Sequence, residues 1–121
     1  MSITLTHYDD VVIVSTRGKL MGGKETDDYH QMVKDLLEGG KSKIVADMSK
    51  IKWINSKGLG MLMGCFTSCK NAGGNFKIAG AVEKVKSLFM ITKLLTIFDA
   101  FDTIDEAVES YKSEKESCGK R

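Results

Sequence analysis

The segment Lys43–Met48 reads Lys-Ile-Val-Ala-Asp-Met, a short and almost continuously apolar run. Its length and composition fit a strand covered on both faces. A chain that contains such a strand must supply other elements to cover it, and the flanking sequence does so. From Lys24 to Glu38, residues Tyr29, Met32, Val33, Leu36 and Leu37 recur at three- and four-residue spacing, which predicts an amphipathic helix. Gly39-Gly40 stops it. A second helix is expected from about Lys57 to Asn71, with Leu59, Leu62, Met63, Phe66 and Cys69 facing inward and Gly73-Gly74 at its end.

The remaining elements follow the same logic. Ile3 to His7 alternates apolar and polar residues, and Val11 to Thr16 is rich in β-branched ones. With the turn signal Asp9-Asp10 between them they form a hairpin. Gly18, Gly22 and Gly23 are expected to loosen the chain after it. Asn75–Gly80 is a further strand, and Val82, Val85, Leu88 and Phe89 mark a short third helix. A last short strand is expected around Leu95 to Phe101. Ile104, Val108 and Tyr111 share one side of a final helix. The expected fold is a single α/β domain over residues 1–112, with a fraying polar tail over 113–121. Its order is β-β-α-β-α-β-α-β-α, which gives a mixed, mostly parallel sheet covered by helices.

Composition narrows the function. The 121 residues, 42% hydrophobic, are enough for one buried core. Eighteen basic and 16 acidic residues leave a net charge of +2, which argues against a dedicated nucleic-acid binder. No apolar run approaches the roughly 18 residues that cross a bilayer. The start of the chain has no basic segment followed by an apolar one. The expectation is a cytoplasmic protein without membrane insertion. Cys65, Cys69 and Cys118 are an odd number and suggest no disulfide framework. Cys65 and Cys69 fall on one side of the second helix, where two buried thiols are the simpler reading. His7 and His30 stand at no ligand-like spacing, so neither a metal nor a cofactor is expected. Gly39-Gly40-Lys41-Ser42 echoes the end of a phosphate-binding loop, but it precedes a strand instead of opening a helix.

One stretch remains, Asp47-Met48-Ser49-Lys50-Ile51-Lys52-Trp53-Ile54-Asn55-Ser56-Lys57-Gly58-Leu59-Gly60. It runs from a strand end through a loop into the second helix. Ser56 lies at or beside the helix N-cap, where a serine accepts a hydrogen bond from an early amide. Gly58 and Gly60 are expected to leave first-turn amides open to an incoming group. The helix dipole and Lys57 add positive potential. Such a place suits a phosphate, free or esterified to Ser56.

The stretch resembles the signature of the STAS family, the domain shared by sulphate transporters and anti-sigma factor antagonists. That signature is an Asp-Leu-Ser, a short spacer ending in an aromatic and an apolar residue, then Asp-Ser-Ser/Thr-Gly-Leu-Gly. Gly73-Gly74-Asn75-Phe76-Lys77-Ile78-Ala79-Gly80 resembles the family's following turn and strand. Two departures bear on the phosphorylation point. Asn55 stands where many members carry Asp, and Gly18-Lys19-Leu20-Met21 stands where a turn ending in an acid is usual.

The resemblance implies a regulatory protein and not an enzyme. It would bind an anti-sigma factor that is also a serine kinase, release a sigma factor, and be switched off by phosphorylation of Ser56. Asn55, Ser56, Lys57, Gly58 and Leu59, with Met21 and Gly22, would form the contact surface. The alternative is a STAS scaffold or transport-assembly subunit that is never phosphorylated. Weak nucleotide binding at the glycine-rich turn stays open, and a monomer or weak dimer is expected.

Overall fold

The computed structural model describes residues 3–93 and 97–119, with side chains described as far as Lys112. The expected hairpin forms. β1 (Ile3–Tyr8) runs antiparallel to β2 (Val11–Thr16), and Tyr8 faces Val11 across a two-residue turn. Asp9 takes a positive φ of 57° there, a conformation that aspartate tolerates better than most residues. β2 pairs in parallel with β4 (Lys43–Asp47), β4 with β6 (Asn75–Ala79), and β6 with β7 (Ala100–Phe101). The five-stranded order is β1-β2-β4-β6-β7, one antiparallel pair followed by three parallel ones. Of the last strand expected from the sequence, residues 95 and 96 fall outside the described residues.

Side chains alternate across this sheet, as the two-residue period of a strand requires. Val12, Val14, Ile44, Ala46, Phe76 and Ile78 point into the larger core. There they meet α1 (Lys24–Glu38), α2 (Ser56–Asn71) and α3 (Glu83–Ile91). Val11, Ile13, Val45 and Ala79 point the other way, under α4 (Ile104–Gly119), which covers them with Ala107, Val108 and Tyr111. The three crossover helices thus share one face, as a consistent crossover hand demands. α4 continues through Gly119, into the stretch assigned above to the tail. Among the described residues no helix is long and apolar enough to cross a membrane.

Under α4 the sheet carries a buried lysine. Lys77 is 2% exposed, its Nζ donates to Ser110 Oγ at 2.8 Å, and it sits 4.1 Å from the centre of the Tyr111 ring. A hydrogen bond and an aromatic face replace part of the water the ammonium loses. Tyr111 in turn donates its hydroxyl to the Ile44 carbonyl at 2.7 Å, pinning the helix to the central strand.

The structure corrects the sequence reading in one respect that matters for the site. Gly18–Leu20 is not loosened chain but a strand, β3. The expected loop before α2 contains another, β5 (Ile51–Ile54). The two pair in parallel as a separate ribbon, with Leu20 opposite Ile54 and Lys19 opposite Trp53. Both strands fall below the usual length of five or six residues, and glycines surround the first. Neither leaves a periodic signal in the sequence. Their pairing depends on residues more than thirty positions apart.

Candidate functional site

The ribbon delivers the chain to the start of α2. Leu20, Ile51 and Ile54 are fully buried and anchor the ribbon to the larger core. At its strand ends the Asn55 amide donates to the Leu20 carbonyl at 3.2 Å. Asn55, and not Ser56, is the N-cap. Its Oδ1 accepts from the amides of Lys57 and Gly58, both at 3.1 Å, and its carbonyl accepts from Leu59 at 2.9 Å. Ser56 is the first residue of the helix. It is exposed, and its hydroxyl bonds to no described residue. Capping and display are thereby divided between two neighbours.

The two glycines of the first turn differ as well. The expectation that both keep amides open does not hold: the Gly58 amide is taken by Asn55, and Gly60, the fifth residue of α2, has its amide in the helix's own ladder. Gly58 is buried. A Cβ there would run into the Leu20 carbonyl oxygen and come within 2.6 Å of Ile54 Cγ1. Its role is close packing of α2 on the ribbon. Gly60 is exposed, and a Cβ there would meet nothing within 4 Å. One turn on from Ser56, it leaves a bare patch on the same side of the helix.

Of the residues expected at a contact surface, Asn55, Ser56, Lys57, Met21 and Gly22 come together. The Lys57 side chain lies across Gly22, so that a Cβ on Gly22 would approach its Cδ to 2.8 Å. Asn55 Nδ2 donates to the Met21 carbonyl at 2.9 Å. Met21 itself is 42% exposed. Gly58, being buried, is not on that surface, and neither is Leu59. Its side chain is only 7% exposed, within the core, where the helix spacing also placed it. Trp53, 38% exposed, was missed as a surface residue. The four-residue β5 that carries it leaves no periodic signal, so its exposure follows only from the ribbon.

The departures at Asn55 and Met21 turn out to touch. Asn55 and Met21 are joined by the Nδ2–carbonyl bond, which a carboxylate could not donate. The replacement at one position is thus satisfied by the backbone of the other. The neighbourhood of Ser56 carries neither of the acids that the signature would place there, and Lys57 stands where the signature has Ser or Thr.

Behind the site, Asp47 closes the end of β4. It is 6% exposed and accepts from Ser15 Oγ, the Ser49 amide and Ser49 Oγ at 2.9, 3.0 and 2.7 Å. These bonds turn the chain out of the sheet toward the ribbon. Cys65 and Cys69 are free and fully buried, and burial pushes both thiols up to about 12. Thiols held protonated at neutral pH are poor nucleophiles and poor metal ligands, so the pair is core. Tyr29 is likewise raised well above its ordinary value, first by burial and then by Cys65, Asp47 and Cys69.

Residues 2–107 match the family model of the STAS domain. The chain belongs to the STAS family. A Thermotoga maritima protein, provisionally named an anti-sigma factor antagonist, is 33% identical over 110 residues, covering 86% of this chain and 92% of the relative. A crystal structure from that organism, given the same name, superposes with a TM-score of 0.83 at 30% identity, covering 89% and 92% of the two chains. The anti-sigma factor antagonist SpoIIAA in its unphosphorylated form shares the STAS fold with a TM-score of 0.78 at 15% identity, over 93% and 97% of the chains.

Proposed function

We propose that this STAS domain is an anti-sigma factor antagonist whose contact with its partner is governed by Ser56. The partner is an anti-sigma factor with serine-kinase activity. It docks on Ser56, Lys57, Asn55, Met21 and the bare backbone at Gly60, with Trp53 at the margin. Binding frees the sigma factor, and phosphate on Ser56 ends the contact. The protein acts in the cytoplasm through association and not through catalysis.

One observation carries this reading. The Ser56 hydroxyl is exposed and unengaged on the first turn of a helix whose cap is supplied by Asn55. Esterifying that oxygen removes no hydrogen bond from the fold. A phosphoserine brings about −1.5 to −2 charges. The positive end of the α2 dipole and the neighbouring Lys57 favour that charge. The free protein therefore tolerates the modification without refolding. A desolvated partner surface does not tolerate it, and a penalty of roughly 3 kcal/mol would cut affinity by more than a hundredfold.

The test is a pull-down from the source cell with the parent chain, Ser56→Ala and Ser56→Asp. Intact mass would report the state of Ser56. The alanine variant should capture the kinase and stay unmodified, and the aspartate variant should lose it. Equal capture by all three chains, with no phosphate on the parent, would instead favour a scaffold or transport-assembly subunit.

A further inference from the structure

A broad cleft of about 1170 Å³ runs along the β3–β5 ribbon, between the first turns of α1 and α3. Five cations line it: Arg17, Lys19, Lys50, Lys52 and Lys84. All five are exposed, and none forms an ion pair with a described residue. Glu25 and Glu83 stand at its flanks, and Ile51 and Val82 contribute an apolar part of the wall. The excess of base over acid in this one cleft is larger than that of the whole chain, whose net charge is +2. Five unpaired like charges repel one another and give the fold nothing in return. A complementary ligand would remove that repulsion.

We infer that the cleft is a docking site for an extended acidic segment of a partner protein. Its shape and lining choose among anionic ligands. The volume exceeds the roughly 300–1,000 Å³ of small-molecule sites. No aromatic side chain lines it, so bases of a nucleotide or a single strand find no stacking platform. Glu25 and Glu83 at the flanks oppose an anionic bilayer laid across the cleft. The carboxylates of Glu25 and Glu83 would repel a compact polyphosphate. An extended polypeptide can space its own acids between them, over Lys19, Lys50 and Lys52, and offer backbone N–H groups to the flanking glutamates. The inference goes beyond the reading of Ser56 and does not depend on it. Lys19 is in register with Trp53, which places the cleft next to the α2 site, so one partner could span both.

The chain's single tryptophan, Trp53, beside Lys19, is a built-in reporter. The probe is a synthetic peptide of about ten residues alternating glutamate and serine, titrated into the full chain and followed by Trp53 fluorescence and amide chemical shifts. Saturable binding is expected at low salt, with shifts centred on Lys19, Lys50 and Lys52, weakening about tenfold toward 0.3 M salt. The double variant Lys50→Glu/Lys52→Glu should weaken it by at least about tenfold. The charge-matched control Lys34→Glu/Lys70→Glu, on the outer helix faces, should stay within about twofold. If the glutamate pair disturbs the fold, Lys19→Gln/Lys84→Gln serves the same purpose. Ser56→Asp should bind the peptide nearly as the parent does, even if the Ser56 switch proves wrong. No saturation, or equal weakening by the control pair, would overturn the proposal. So would tighter binding in this cleft of ATP, an oligonucleotide or phosphatidylglycerol vesicles than of the peptide.

Discussion

The five-stranded sheet and the two-stranded ribbon are built on opposite plans. In the sheet, β4 and β6 are packed on both faces, and every residue from Ile44 to Asp47 and from Asn75 to Ala79 is buried. In the ribbon, Leu20, Ile51 and Ile54 face inward while Lys19, Lys52 and Trp53 face outward. The sheet contributes most of the apolar burial and so most of the stability. The ribbon is held by a few anchors, a short ladder and the Asn55 bonds. It carries the exposed side chains proposed for partner contact. Stability and the proposed recognition surface occupy different parts of this STAS domain, joined by Asp47 and its serine partners.

The largest test of that division is Gly58→Ala. Its methyl group would have to displace the Leu20 backbone, so a loss of about 3 kcal/mol is expected, measured by urea unfolding. A near-neutral result would mean that the ribbon yields freely and is not an anchored platform. Asn55→Ala should come next. It removes the cap and the tie to Met21 together, for roughly 2 kcal/mol, with faster hydrogen exchange at Lys57 and Gly58. Asn55→Asp keeps the cap acceptor and loses only the donation to Met21, so it should cost less than alanine does.

Gly60→Ala should move in the other direction. The site is open, and replacing a helical glycine stabilises by about 0.5–1 kcal/mol, while thickening the bare patch beside Ser56. A rise in Tm with weaker partner binding would sharpen the separation between the two regions. The smallest effect concerns His30, behind Gly64 on the α1–α2 interface, where its Nε2 is covered and unpartnered. Burial and then Lys34 lower its pKa below 6.5, against a smaller opposing effect of Asp27. On acidification the unfolded chain therefore takes up the proton first. The His30 contribution is complete above pH 6.5 and declines as pH falls below it. The Tm should drop slightly from pH 7.5 to 5.5, and His30→Gln should flatten that part of the slope.

Legibility in the sequence followed the same division. The hairpin, β4 and β6 were readable as alternating, β-branched or continuously apolar runs, and α1, α2 and α3 because their apolar residues repeat at the helical period. Cys65 and Cys69 were readable as core for the same reason. β3 and β5 were not, since three or four residues carry no period and their pairing is between distant segments. The location of the candidate site came from a local signature, but the roles within it did not. Asn55 and Ser56 both suit a cap, and only the path of the ribbon decides which side chain turns back onto the helix amides. Gly58 and Gly60 are likewise the same letter two positions apart, and only the approach of Leu20 separates them.

The order of the helices and of the five sheet strands, and the membership of Ser56 in a helix start, were determined by sequence alone, because each rests on patterns among near neighbours along the chain. The exposure of Ser56, the contact between Asn55 and Met21 and the gathering of five cations into one cleft were decided only by tertiary structure. Each depends on bringing β3 and the turn after it against β5 and the start of α2. No local preference encodes that approach, and it follows from burying Leu20, Ile51 and Ile54 together.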